Sequence, residues 1–149
     1  AIRRLNAAGW AVVVVTNQSG IARGIFGWNE YHAVAARMET LLAAEGARID
    51  ASYACPHHPE LSGPCECRKP GLASYRDAIA KLGIDPTRSI CVGDRMTDVE
   101  PARALGGRGI LLGTALPPSE VETVRAAGFE VAADLAGAVA LALGGVGRD

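Results

Sequence analysis

Between Cys55 and Pro70 the chain reads CPHHPELSGPCECRKP, a stretch that holds three of its four cysteines and two of its three histidines. Cys55 and His57 form one close pair and Cys65 and Cys67 a second. Seven residues separate the pairs, enough for a turn that brings both onto one ion. Three thiolates and an imidazole suit the tetrahedral preference of Zn2+ for sulfur and nitrogen, and a closed set of four is a structural site without an open position. His58 is the weaker ligand, because adjacent residues compete and the Cys-x-His spacing matches Cys-x-Cys better. Disulfide bonding is the competing reading, although Cys-x-Cys is too close for an easy internal bridge and nothing else here has the character of a secreted chain. Pro56, Pro59, Gly63 and Pro64 are expected to keep the loop out of helix, so a segment with few apolar residues depends on the metal for its order. Cys91 stands alone in an apolar run and reads as a small core residue.

Arg68 and Lys69 follow Cys67 directly, so two cations sit on backbone held by a metal ligand on one side and by Pro70 on the other. A solvated charged pair is the ordinary reading of Arg-Lys, but two other loops change it. After the run Trp10–Val15 come Thr16, Asn17, Gln18, Ser19 and Gly20, whose hydroxyls, amides and backbone N–H groups can all donate to phosphate oxygens. After Ser89–Val92 come Gly93 and Asp94, with Asp98 four residues on. A carboxylate at a strand end behind a glycine suits an octahedral Mg2+, while a helix cap is the plainer role for it. Three loops offering donors, a lysine charge and a metal carboxylate describe a phosphate site, where positioning and charge neutralisation carry most of the catalysis.

The elements that must position these residues alternate between helix and strand. Ile2–Ala8 has helical spacing and Gly9 is placed to end it. Trp10–Val15 is apolar at every position, the pattern of a parallel strand covered on both faces. A long helix is expected over Asn29–Ala44, with Tyr31, Val34, Met38, Leu41 and Leu42 on one stripe and Gly46 closing it. Ser52–Cys55 reads as a short strand, Leu72–Leu82 as a helix, Ser89–Val92 as a buried strand, Thr97–Leu105 as a helix and Gly109–Leu112 as a third apolar strand. Glu120–Ala127 is a further helix, with Ser119 and Glu122 at capping-box spacing. Phe129–Ala132 and Asp134–Leu143 complete the alternation, and the tail Gly144–Gly147 is expected to fray. The pattern predicts an α/β fold, a mostly parallel sheet with helices on both faces and function at the carboxyl ends of the strands.

The 149 residues are enough for one packed domain spanning 1–149, with the metal loop 55–67 set within it. A formal net charge of −1 provides no broad field for nucleic acid or an anionic membrane. The longest apolar runs fall far below the roughly 18 residues of a membrane span, and no signal segment opens the chain. The expectation is a cytoplasmic monomer whose partner is a small phosphorylated molecule, with no nucleic acid and no membrane.

Val-Thr-Asn-Gln-Ser-Gly at 15–20, Cys-Arg-Lys-Pro at 67–70 and Val-Gly-Asp-Arg-x-x-Asp at 92–98 resemble motifs two, three and four of the haloacid dehalogenase superfamily of phosphatases. The cysteine loop resembles that of the branch acting on heptose bisphosphates and histidinol phosphate. Asn17–Gly24 and Cys55–Pro59 look more like the heptose side. The resemblance covers residue 1 to about residue 114. It implies a Rossmann-like fold and removal of the 7-phosphate of a heptose bisphosphate in envelope sugar synthesis, with histidinol phosphate as the alternative substrate and a non-catalytic phospholigand-binding module as the alternative of another class. By the same resemblance Thr16 binds the transferring phosphoryl group and Asn17, Gln18 and Ser19 help to hold the substrate. Lys69 then neutralises phosphate oxygens, Arg68 and Arg95 contact the rest of the substrate, and Asp94 completes a catalytic Mg2+ site beside the structural Zn2+. Asp98 is expected at a helix end or behind the metal, and Arg23 either at a second phosphate or at the surface. The superfamily's first motif, Asp-x-Asp with the nucleophile, occurs nowhere in these residues, whose earliest aspartate is Asp50. The expectation is that it lies on a central strand in about 30 to 50 residues preceding Ala1.

Overall fold

A computed structural model of the chain describes residues 1–113 and 116–144. They fall into two compact units, Ile2–Leu82 and the residues from Gly83 onward. All strand pairing is parallel, in a two-stranded sheet in the first unit and a three-stranded sheet in the second. The expected α/β alternation is therefore present, divided over two sheets.

The first unit runs α1 (Ile2–Ala7), β1 (Val13–Asn17), α2 (Trp28–Ala44), β2 (Ala51–Cys55), α3 (Pro59–Ser62) and α4 (Ala73–Leu82). Gly9 follows α1 with φ +78°, a left-handed turn that a side chain would resist. The pairing of β1 with β2 opens at Asp50, whose N–H donates to the Val12 carbonyl at 2.8 Å while its carboxylate accepts the Val12 N–H at 2.7 Å. From there the register runs from Val13 opposite Ala51 to Asn17 opposite Cys55. The strand thus begins and ends later than the apolar run, because the ladder rather than the hydropathy sets its limits. Thr16 and Asn17 are strand residues, not loop residues, and all five positions of β1 are half-buried rather than covered on both faces.

One further expectation fails here, and the apolar stripe of α2 is left uncovered. The stripe on α2 does not face a core: α2 has no buried residue, Val34 is 71% exposed and Leu41 is 51% exposed. Val34 and Met38 instead line an open groove of about 520 Å3 with Val14, Phe26 and Tyr31. Periodicity reports which face is apolar, not whether anything covers it. The prolines do not exclude helix from the metal loop either. Pro59 is the first residue of α3, where a missing N–H costs nothing, and His58 caps that turn by accepting the Glu60 N–H at 3.3 Å.

The second unit runs through a 3-10 turn at Pro86–Arg88 into β3 (Ile90–Gly93), α5 (Met96–Leu105), β4 (Arg108–Leu112), α6 (Pro118–Ala126), β5 (Glu130–Ala132) and α7 (Leu135–Gly144). The sheet order is β3-β4-β5, each step a helical crossover between parallel strands. Central β4 is the strand that its apolar run foretells, with Gly109, Ile110 and Leu111 all buried. Val99, Leu111, Val124 and Phe129 pack as one cluster, and Ile110, Ala132 and Ala138 as another. β3 is less covered than its sequence predicts, with Val92 36% exposed and Cys91 only partly buried. Among the described residues β3 pairs with β4 alone. Ser119 is not a cap, since α6 begins at Pro118 behind Pro117 and takes Ser119 into its first turn. The expected fraying of the Gly144–Gly147 tail falls on residues 145–147, outside the described residues.

Ile110 is completely buried and Val34 is mostly exposed. Ile110→Ala is expected to lower the unfolding free energy by about 2–5 kcal/mol, and Val34→Ala by no more than about 0.5 kcal/mol. Denaturant titration of the two variants checks both.

Candidate active site and metal centre

The register of β1 against β2 builds the site in the first unit. It sets Asn17, at the end of one strand, beside Cys55, at the end of the next. The pairing continues past both ends, as the Gln18 N–H donates to the Cys55 carbonyl at 2.7 Å and the Ala22 N–H to the Pro56 carbonyl at 3.3 Å. The loop after β1 is thereby tied to the start of the cysteine loop.

Cys55, His57, Cys65 and Cys67 converge, with one ligand atom from each lying within 4.8 Å of all the others. The Sγ atom of Cys65 is 3.7 Å from those of Cys55 and Cys67, and Cys55 Sγ is 3.6 Å from His57 Nδ1. Ligand bonds of about 2.3 Å to sulfur and 2.0–2.1 Å to nitrogen give tetrahedral edges of about 3.6–3.8 Å, so these three edges fit. The two shorter ones, 3.0 Å to Cys55 and 3.2 Å to His57, both involve Cys67, which would move outward around an ion. None of the cysteines is in a disulfide. The four residues form a site that can hold a structural metal such as zinc, and His58, which caps α3, is not among them.

Electrostatics in the cluster favour a cation. Burial, the neighbouring thiols of Cys55 and Cys65, and their charge push the Cys67 thiol up to about 12. Burial also raises Cys65, but hydrogen bonds from the Arg68 backbone and from the Cys55 and Cys67 thiols outweigh it and bring that thiol below its usual range. Thiolates gathered this closely repel one another, and a bound cation would relieve that repulsion.

Lys69, two residues beyond Cys67, is held at three points. Its ammonium donates to the Val15 carbonyl at 2.7 Å, its N–H donates to Asn17 Oδ1 at 2.9 Å, and its carbonyl accepts from Asn17 Nδ2 at 3.3 Å. Thr16 lies between Val15 and Asn17, and its hydroxyl oxygen accepts from Gln18 Nε2 at 2.9 Å. That bond leaves the Thr16 hydroxyl hydrogen available to another acceptor. Arg68 Nη1 donates to the His57 carbonyl at 3.3 Å, which ties the two halves of the metal loop together. Ser19 is half-buried and its carbonyl accepts from the N–H of Arg23, an exposed residue. Thr16, Asn17, Gln18, Arg68 and Lys69 thus stand in one hydrogen-bonded neighbourhood with the metal cluster.

In the second unit Asp94 is exposed immediately after β3, as the motif predicts. Arg95 is the N-cap of α5. Its N–H donates to Asp98 Oδ2 at 3.1 Å and its carbonyl accepts the Asp98 N–H at 2.9 Å, so Asp98 serves at a helix end. Gly93 makes this possible, because a Cβ there would collide with the Asp98 side chain. Asp98 is thereby held at the helix start, while Asp94 stands exposed at the strand end.

Comparison with known proteins gives the family. Residues 66–138 match the HAD-hydrolase-like family. The D-glycero-beta-D-manno-heptose-1,7-bisphosphate 7-phosphatase of Rhodopseudomonas palustris is 45% identical over 111 residues, 71% of this chain and 62% of that protein. Its counterpart in Haemophilus influenzae is 43% identical over 104 residues, 67% of this chain and 56% of that one. The crystal structure of D,D-heptose 1,7-bisphosphate phosphatase from B. bronchiseptica, complexed with magnesium and phosphate, superposes with a TM-score of 0.78 at 34% identity, covering 95% of this chain and 79% of the other. The chain belongs to the haloacid dehalogenase superfamily of phosphatases, in the branch that holds the heptose bisphosphate phosphatases. It spans about three-fifths of the length of the curated relatives it matches.

Sequence reasoning missed that Asn17 reaches Lys69 rather than standing free in a loop, and that Gln18 turns back onto Thr16. An Asn-Gln pair after an apolar run signals available amides, but not where they point. Elemental analysis is expected to find about one zinc per chain, and Cys67→Ser to lose it together with thermal stability. Because a proton on Cys67 must leave for the metal to bind, apparent zinc affinity should rise with pH. Competition titrations at pH 6.5 and 8.0 check the sign, and equal affinities would contradict the assignment.

Proposed function

We propose that the complete protein hydrolyses the 7-phosphate of a D-glycero-D-manno-heptose 1,7-bisphosphate. The observation that carries the reading is the anchoring of Lys69 on the strand that bears Thr16, where its ammonium meets the carbonyl of the residue before that threonine. The names of the similar enzymes support the substrate.

In this reading the Thr16 hydroxyl donates to a nonbridging oxygen of the transferring phosphoryl group, and Lys69 takes up the charge that develops on those oxygens. Arg68 and Arg95 contact the remainder of the substrate, and Gln18 and Ser19 border the phosphate. Asp94 supplies a carboxylate for magnesium, the ion bound in the B. bronchiseptica enzyme, which when bound neutralises charge on the phosphoryl oxygens. An aspartate attacks in line and water then hydrolyses the aspartyl phosphate. No Asp-x-Asp occurs in the 149 residues, so the reaction as proposed takes its nucleophile from outside them. The zinc site does no chemistry and holds the segment that leads to Lys69. The setting is the cytoplasm, the working form a monomer, and the two units act as parts of one domain.

Lys69→Ala in the complete protein is expected to lower kcat on heptose 1,7-bisphosphate by about 100- to 1,000-fold with its zinc content unchanged. Turnover near the unmutated level would remove Lys69 from the mechanism. Rates on heptose bisphosphate and histidinol phosphate, compared in the unmutated protein, decide the substrate; a faster histidinol phosphate reaction would overturn the proposal. Phosphate binding without turnover on either compound would make the protein a binding module.

A further inference from the structure

Asn17 sits within the motif that the resemblance gives to substrate, yet both ends of its amide face Lys69. Oδ1 accepts the Lys69 N–H at 2.9 Å and Nδ2 donates to the Lys69 carbonyl at 3.3 Å. A carboxamide carries one acceptor and one pair of donor hydrogens side by side, so it can close a ring with the two backbone groups of a single residue. Fifty-two positions separate the partners in sequence, which makes the contact a tertiary clamp and not a local turn.

From the geometry we infer that Asn17 is a positioning residue, fixing the Lys69 backbone so that its ammonium returns to the strand carrying Thr16, and not a substrate ligand. The ammonium meets the Val15 carbonyl at 2.7 Å, two residues before Asn17. Val15, Thr16, Asn17 and Lys69 therefore close a cycle in which one strand end holds the lysine by backbone and by side chain. The metal loop constrains the same lysine from the other direction, through Cys67 two residues earlier. Two independent anchors on one residue are what a charge needs if it is to meet developing negative charge without reorganising. Asn6 shows the same geometry elsewhere in the unit, its amide accepting the Arg48 N–H at 2.9 Å and donating to the Arg48 carbonyl at 3.3 Å. There it joins α1 to the segment before β2.

The inference rests on the proposed role of Lys69, and the test separates the two with a measurement that needs no turnover. In the complete protein, amide hydrogen exchange at Lys69 is expected to speed up at least tenfold in Asn17→Ala, with exchange in the rest of β1 and zinc content retained. Unchanged Lys69 exchange overturns the clamp whatever the reaction proves to be. Kinetically, Asn17→Ala should lower kcat by about 10- to 100-fold with KM within about threefold. In a Lys69→Ala background the same change should alter kcat by less than about twofold, since a residue acting through another adds nothing once that other is gone. Multiplying effects in the double variant, or a raised KM at constant kcat, would make Asn17 a substrate ligand and overturn the inference. Should Asn17→Ala not fold, Asn17→Asp takes its place. It keeps an acceptor for the Lys69 N–H but loses the donor to the carbonyl, and its kinetics are read against Lys69→Ala in the same way.

Discussion

One rung of a two-stranded parallel ladder, Asn17 opposite Cys55, governs the arrangement of the first unit. A shift of register by one residue would reverse the faces of every side chain on β1. Asn17 would then lose Lys69, and the Gln18 and Ala22 N–H groups would lose the Cys55 and Pro56 carbonyls that hold the loop after β1 against the metal loop. Asp50 sets the register from the other end, through the paired bonds to Val12. The ladder is short, and side-chain bonds at both ends supply the specificity that five half-buried residues do not provide alone.

This explains why a zinc-type cluster should accompany a phosphate motif. The stretch from Cys55 to Lys69 contains four prolines and glycines before its cysteine pair and has almost no apolar surface to bury. A loop of that composition does not order itself by the hydrophobic effect. Four ligands on one ion replace the missing core, and the chain leaving Cys67 emerges with its direction already set. The Asn17 amide and the Val15 carbonyl then hold Lys69 by backbone and by side chain. A flexible lysine side chain has considerable rotamer entropy to lose, and here it is ordered by the fold rather than by the substrate.

The second unit solves the related problem of presenting one carboxylate. Two aspartates stand four residues apart, and the helix start takes one of them: Asp98 accepts the Arg95 N–H, with Gly93 providing room for its side chain. Asp94 stays exposed at the strand end. A buried strand flanked by two helical crossovers, with Ile110 and Val99 wholly enclosed, forms the rigid base from which that loop projects.

What the sequence determined by itself was type and order. Ligand types at close spacing defined the metal set, because Cys-x-His and Cys-x-Cys place donors on the same side of a short loop. Alternating apolar runs and helical stripes defined a parallel α/β architecture. Left-handed glycines at Gly9 and Gly46 followed helices where the pattern foretold. Tertiary structure decided extent and direction. Whether the α2 stripe is covered depends on what packs there, which hydropathy does not encode, and Val34 and Leu41 are exposed. The limits of β1 came from a ladder with a partner 38 residues away, so Thr16 and Asn17 passed from loop to strand. Above all, an asparagine's amide has the same sequence signature whether it meets a phosphate or a backbone, and only a contact across 52 residues turned Asn17 toward Lys69.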